Sequence, residues 1–271
     1  MKRGFSVLLL LVLLVIVVAG CGGGSSGSSS ADKKAEPSAS DAVLDAIKKT
    51  GILTVGTDAT FAPFEYTENN QMVGFDIDLV REIAKIIGAK DVKFVDIDFK
   101  GLIPGLQAKQ FDMIASAMYI TDERKKVINF SDPYYPGGLV IMVQKDNNTI
   151  KGPEDLKGKK IAVQIGTKSV TYLQQNYPEA KLVEVEKNAE MFLELENGRV
   201  DAVVTGKPAA KLYVQKRPVL KVLDKQLTVE EYGFGIRKED TEFLKAVNNA
   251  LKTLKENGTY QKLVDKWFEG K

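Results

Sequence analysis

The sequence predicts an α/β protein of two units that face each other across a ligand cleft. Two observations predict it: short apolar strands alternate with helical stretches, and two interruptions divide that alternation into parts. Strand–helix alternation favours a largely parallel sheet with helices on both faces. The first element is an amphipathic helix near Ala42 to Thr50, stopped at Gly51. A β-branched strand follows over Ile52 to Thr57, and Ile77 to Ile87 repeats apolar residues at helical spacing up to Gly88. Val92 to Val95, Met113 to Ala117, Leu139 to Val143, Lys160 to Val163, Leu182 to Val185 and Ala202 to Val204 read as strands with helical stretches between them. Tyr134-Tyr135-Pro136-Gly137-Gly138 breaks the pattern midway, and Lys225 to Tyr232 breaks it again before a last helical region from Thr241 to Phe268. A chain that leaves the first unit at one break and returns at the other makes lobe 1 discontinuous, residues 41–134 and 232–271. Lobe 2 is then the insert 139–227, with hinges near 135–138 and 228–231. Open α/β sheets bind ligands beyond the carboxyl ends of their strands. Two such lobes face to face therefore make a cleft that closes by hinge motion.

The residues before the first helix set the compartment. Lys2 and Arg3 precede an apolar run from Val7 to Ala19, the layout of a secretory signal over residues 1–20. That run is shorter than the ~20 residues a spanning helix needs. It ends in Val18-Ala19-Gly20-Cys21, small residues before the chain's single cysteine. This sequence resembles the lipobox of bacterial lipoproteins, and the resemblance implies that Cys21 is lipidated and becomes the first residue. Buried acyl carbons contribute about 0.8 kcal/mol each, so two or three chains hold a protein at the membrane surface. Residues 21–40 are Gly, Ser, Ala, Lys and Pro with little to bury, and read as a flexible tether.

Composition removes many function classes. Of the 38 basic side chains two, Lys2 and Arg3, lie in the signal, so the remainder balances the 36 acidic ones. Such a balance gives no footprint for nucleic acid. The chain has no histidine, which takes away the commonest general base and metal ligand. No metal and no cofactor is expected.

Four motifs then stand in a fixed order: Gly56-Thr57-Asp58-Ala59-Thr60-Phe61-Ala62-Pro63-Phe64-Glu65, Gly74-Phe75-Asp76-Ile77-Asp78-Leu79, Ile120-Thr121-Asp122-Glu123-Arg124-Lys125-Lys126 and Phe130-Ser131-Asp132-Pro133-Tyr134-Tyr135. Leu254-Lys255-Glu256-Asn257-Gly258-Thr259-Tyr260 and Lys266-Trp267-Phe268 close the chain. Together they resemble the polar amino-acid-binding proteins of ABC importers (solute-binding protein family 3), over essentially residues 45 to 268. Within that family the chain resembles glutamine-binding and lysine/arginine/ornithine-binding proteins. The resemblance implies a two-lobed periplasmic-binding-protein-like fold of type II. It also implies an extracytoplasmic, membrane-anchored monomer that captures a free amino acid, basic or glutamine, for a permease with a cytoplasmic ATPase.

The resemblance also distributes roles. Arg124 offers a planar fork that grips a carboxylate through two bonds, which lysine cannot do. The family uses this arginine for the ligand α-carboxylate, joined by backbone N–H groups at Tyr119 and at Thr167, where a helix starts. By itself the Arg124-Lys125-Lys126 run would read as a solvated surface. Asp58, directly after a strand, matches the acid that takes the ligand side chain; its plain reading is a turn cap. Phe61 and Phe99 resemble the aromatic pair that holds that side chain, and are otherwise core residues. Ser116 and Ala117 match positions that meet the α-amino group, and Gln164 and Lys168 occupy cleft-facing positions. An inward Lys168 would repel a cationic ligand.

One departure bears on the ligand. The family places an aspartate for the α-amino group just after the Asp201-Ala202-Val203-Val204 strand, where this chain has Thr205 and then Gly206. Tyr119 stands where a Ser or Thr is usual. Glu184 or Glu186 could replace the missing anion, or Thr205 and backbone carbonyls could suffice, or the ligand could lack that amine. Two other functions compete with import. An enzyme on the same fold, similar to cyclohexadienyl dehydratases, would need Glu65, Glu184 or Asp58 as its acid, and their spacing marks no acid–base pair. A sensor or adhesin would use the same ligand-binding head with a partner protein.

Overall fold

A computed structural model describes residues 42–270. The signal at 1–20, Cys21 and the tether at 21–40 lie outside the described residues. The apolar runs fold into two five-stranded sheets. The first has the order Asp91–Asp96, Ile52–Thr57, Met113–Ile114, Gly235–Ile236, Asn129–Phe130. Its first three strands run parallel, with Val55 opposite both Phe94 and Met113. Gly235–Ile236 is antiparallel to both of its neighbours. The second sheet has the order Lys181–Val185, Lys160–Gln164, Ala202–Gly206, Leu139–Gln144, Leu220–Val222. Here too three strands are parallel, while Leu139–Gln144 opposes both of its partners.

Each sheet is thus largely parallel, with four strands running one way and a single strand reversed among them. Parallel neighbours need a long crossover between them. Leu139–Gln144 and Gly235–Ile236 each come straight from a passage between the sheets, so they meet their neighbours from the opposite direction. The passages lie side by side, because Tyr135–Pro136 pairs antiparallel with Glu231–Tyr232. A small sheet of Thr60–Phe61, Glu65–Glu68 and Gln71–Val73 was not foreseen from the sequence.

Helix Ala42–Thr50 buries Val43 and Ile47. Helix Thr241–Glu256 buries Phe243, Val247, Ala250, Leu251 and Leu254 along one face. Each large apolar side chain so buried contributes roughly 1.5–3 kcal/mol. Helix Phe75–Ile86 begins two residues before the periodic stretch. Gly74 causes this: at φ +137° it passes so close to Phe64 that a Cβ would lie 2.1 Å from the Phe64 carbonyl oxygen. The chain can then donate Phe75 N–H to Pro63 and Asp76 N–H to Phe64, which sets Asp76 fully buried at the helix start. Among the described residues no helix is long and apolar enough to cross a membrane.

Candidate ligand-binding site

A cavity of about 460 Å³ lies between residues that follow the strands of the two sheets. The first-sheet side contributes Asp58, Phe61, Phe99, Ser116, Ala117, Tyr119 and Arg124, and the second-sheet side Gln164, Thr167, Lys168 and Thr205. These eleven residues, assigned to the ligand through the resemblance, thus line one cavity.

Arg124 belongs to the short helix Asp122–Lys125, whose first turn is capped by Thr121: the Arg124 backbone N–H donates to Thr121 Oγ1 at 3.2 Å. Its guanidinium donates through Nη1 to the Tyr119 carbonyl at 2.8 Å and through Nη2 across the cleft to the Gly166 carbonyl at 3.2 Å. The same group lies 5.4 Å from the centre of the Phe99 ring. Both hydrogen-bond partners are neutral; Glu123 and Glu230 act on its charge, but among the described residues neither forms an ion pair with it. Burial pulls its pKa down to about 10, still cationic at neutral pH. A guanidinium has five N–H donors, which leaves a fork for an incoming anion.

Asp58 is already occupied. Its Oδ1 accepts from Thr60 Oγ1 at 2.9 Å and from Lys187 Nζ at 3.2 Å. Its Oδ2 accepts from Gln164 Nε2 at 2.6 Å and from the Phe99 N–H at 3.2 Å. A carboxylate has about four acceptor sites, and these donors fill them. Burial pushes the Asp58 carboxyl up, and Lys187 works against that shift. Lys187 also pairs with Asp98 at 2.8 Å. It was not foreseen, although it follows strand Lys181–Val185 at a carboxyl end much as Asp58 follows Ile52–Thr57. Lys168 lines the cavity and has Glu230 at 3.6 Å to offset its charge.

Gly206 and Tyr119, the two departures from the family pattern, prove to be one feature. A Cβ at position 206 would lie 2.5 Å from the Tyr232 hydroxyl, 3.1 Å from Phe61 Cζ and 3.2 Å from the Tyr119 hydroxyl. The Tyr119 and Tyr232 rings stack at 4.5 Å, and the Tyr232 hydroxyl donates to that of Tyr119 at 3.0 Å. The tyrosines fill the room that an aspartate side chain at 206 would need. Glu184 and Glu186 do not replace it: Glu184 is exposed, and Glu186 pairs with Lys100 at 2.5 Å. Neither lines the cavity.

The acid that does line it is Glu65, which is 1% exposed. Its Oε1 accepts from Ser116 Oγ at 3.1 Å, and Ser116 in turn accepts the Asp58 N–H at 3.1 Å. The Glu65 and Asp76 carboxyls lie within reach of each other's charge deep in the wall, and two buried carboxyls that close do not both ionise. Glu65 Oε2 and Asp76 Oδ1 are the two of their oxygens that no donor reaches. Asp76 Oδ2 accepts from the Ala117 N–H at 2.9 Å and from the Tyr134 hydroxyl at 2.7 Å. Burial, reinforced by the Asp76 and Asp58 charges, holds the Glu65 carboxyl well above its ordinary range. Burial likewise brings Asp76 up to about 6.

A two-lobed α/β chain whose cleft holds a guanidinium with free N–H donors has the chemistry to receive a small anion-bearing ligand. Residues 53–270 match the model of the bacterial extracellular solute-binding proteins, family 3, and the chain belongs to that family. It is 37% identical to the ABC transporter arginine-binding protein 1 of Escherichia coli (strain K12) over 222 residues, 80% of this chain and 90% of that protein. Its fold is similar to a crystal structure of a mutant of ArgBP from T. maritima, at TM-score 0.81 and 47% identity, covering 84% of this chain and 99% of the other. It is similar too to the ancestral amino acid-binding protein AncCDT-1, a precursor of cyclohexadienyl dehydratase. There the TM-score is 0.79 and the identity 48%, over 83% of this chain and 99% of that one.

Proposed function

We propose that this chain is the substrate-binding lipoprotein of an ABC importer, which captures a polar amino acid, basic or glutamine, and hands it to a permease without transforming it. The observation that carries this reading is the convergence of Arg124, Asp58, Phe61, Phe99 and Gln164 on one cavity between two lobes. In this reading Arg124 takes the ligand carboxylate, with the Thr167 turn beside it, and Ser116, Ala117, Tyr119, Lys168 and Thr205 complete the wall. Lobe 1 comprises residues 41–134 and 232–271, lobe 2 residues 139–227, and the paired passages near 135–138 and 228–231 serve as hinges. Closure buries the ligand, and contacts made only in the closed form drive it.

The test is thermal unfolding of the purified protein with each of the twenty amino acids, ornithine, citrulline and cystine. Ligand at a hundred times its dissociation constant stabilises by about 2.7 kcal/mol, so arginine, lysine, ornithine or glutamine is expected to raise the midpoint clearly. No shift with any amino acid sinks the reading. Anchoring rests on Val18-Ala19-Gly20-Cys21: Cys21→Ser is expected to move the protein from the membrane fraction to the soluble one. The kinship with a dehydratase precursor supports a second reading, an enzyme, which turnover of prephenate or arogenate would establish. Unimpaired amino-acid uptake after deletion of the gene would point instead to a sensor.

A further inference from the structure

An amino acid brings an ammonium group as well as a carboxylate, and the cavity has to seat both. This step rests on the amino-acid reading above. Among the described residues, the carboxylates that line the cavity are Asp58 and Glu65. Asp58 is filled by Thr60, Phe99, Gln164 and Lys187. Around Gly206 the wall is closed by the hydroxyls of Tyr119 and Tyr232. Glu65 remains, with one oxygen turned to nothing but the carboxyl of Asp76.

We propose that Glu65 is the seat of the ligand's ammonium group, and that each amino acid captured there drives one proton out of the Glu65–Asp76 pair. The exchange balances simply. The neutral Glu65 carboxyl gives its proton to solvent, its carboxylate pairs with the incoming –NH₃⁺, and no other bond changes. The proton leaves the pair instead of moving onto Asp76 because the Ala117 N–H and the Tyr134 hydroxyl make Asp76 the more acidic of the two. Among the groups facing Glu65, the Ser116 hydroxyl favours the anion, but burial and the acidic Asp76 and Asp58 outweigh it until a cation arrives, and Tyr134 and Tyr232 are buried phenols that bring no positive charge. An ammonium is the compensating charge this corner lacks.

The experiment is calorimetric titration of the purified protein in two buffers of different ionisation enthalpy, at several values between about pH 5 and pH 8. Each amino acid is compared with its des-amino analogue: arginine with 5-guanidinopentanoate, glutamine with 5-amino-5-oxopentanoate. Amino-acid binding is expected to release close to one proton where Glu65 is protonated, and the des-amino acids none. Glu65→Gln keeps the shape and puts an amide N–H where the carboxyl proton was. It is expected to lower the ratio of amino-acid to des-amino affinity by roughly tenfold or more, the range of a charge-assisted hydrogen bond. An unchanged ratio in Glu65→Gln, or no proton released by the wild type at any pH, overturns the assignment. Failure of every amino acid to bind the wild type, while a des-amino acid does bind, overturns the amino-acid reading itself.

Discussion

Lys187 Nζ stands 3.2 Å from Asp58 Oδ1, an ion pair that joins the end of a second-sheet strand to the end of a first-sheet strand. The chain's own ammonium thus sits on the carboxylate that the family resemblance reserves for a ligand's polar end. Removing it with Lys187→Met uncovers a buried anion at the cleft. Arginine is then expected to gain on glutamine by on the order of tenfold, ~1.4 kcal/mol, in competitive titration. An unchanged preference would show that Asp58 never meets the ligand.

Arg124→Lys removes the planar fork and the Nη2 bond to Gly166, and leaves a point charge in its place. Ligand affinity is expected to fall by roughly tenfold or more, because a buried carboxylate is left partly unpaired. A loss within about twofold, roughly 0.4 kcal/mol, would mean that the carboxylate binds elsewhere.

Gly206→Asp alone is expected to destabilise the fold by about 1–3 kcal/mol, since overpacking a filled site costs that much. Tyr119→Thr in the same chain removes the hydroxyl 3.2 Å from the new Cβ and frees that of Tyr232 to shift. The double variant is expected to be more stable than the sum of the singles by at least about 0.5 kcal/mol in denaturant unfolding. Additive effects would disconnect the two substitutions.

The buried carboxyl pair gives stability an unusual pH sign. Asp76 is raised from 3.8 to about 6, and Glu65 is raised well above its ordinary value. Over the interval between unfolded and folded values the native state binds more protons than the unfolded chain. Stability therefore falls as pH rises through that interval. The thermal midpoint is expected to be lower at pH 8 than at pH 5, and Glu65→Gln is expected to flatten the profile between them.

Much of the fold was legible because its cues are local. Ile52–Thr57 emerged to the residue, since a β-branched run is bounded by Gly51 and Asp58. Met113–Ile114 came out shorter than expected, because Ala117 adopts φ +39° and its N–H turns to Asp76. The antiparallel strands Gly235–Ile236 and Leu220–Val222 were missed: a few residues carry too little pattern to be told from a loop. The site residues were legible only through their place in an ordered set of motifs. Lys187 and Glu65 show why the remainder was not. Their meaning lies in partners 129 and 51 residues away in the chain, Asp58 and Ser116, and linear spacing does not report such pairs.

The Tyr119 hydroxyl that narrows the cavity also accepts the backbone N–H of Gly138 at 3.0 Å, and takes the hydroxyl of Tyr232 from the returning strand. One side chain is thus fastened to both passages that join the two sheets. With the hinges and the binding site proposed above, the wall that gauges a ligand's width and the axle of the movement are a single part. On that proposal a change of specificity made at Tyr119 is expected to change how far and how fast the jaws open, so that selection on ligand choice would also reset the tempo of delivery.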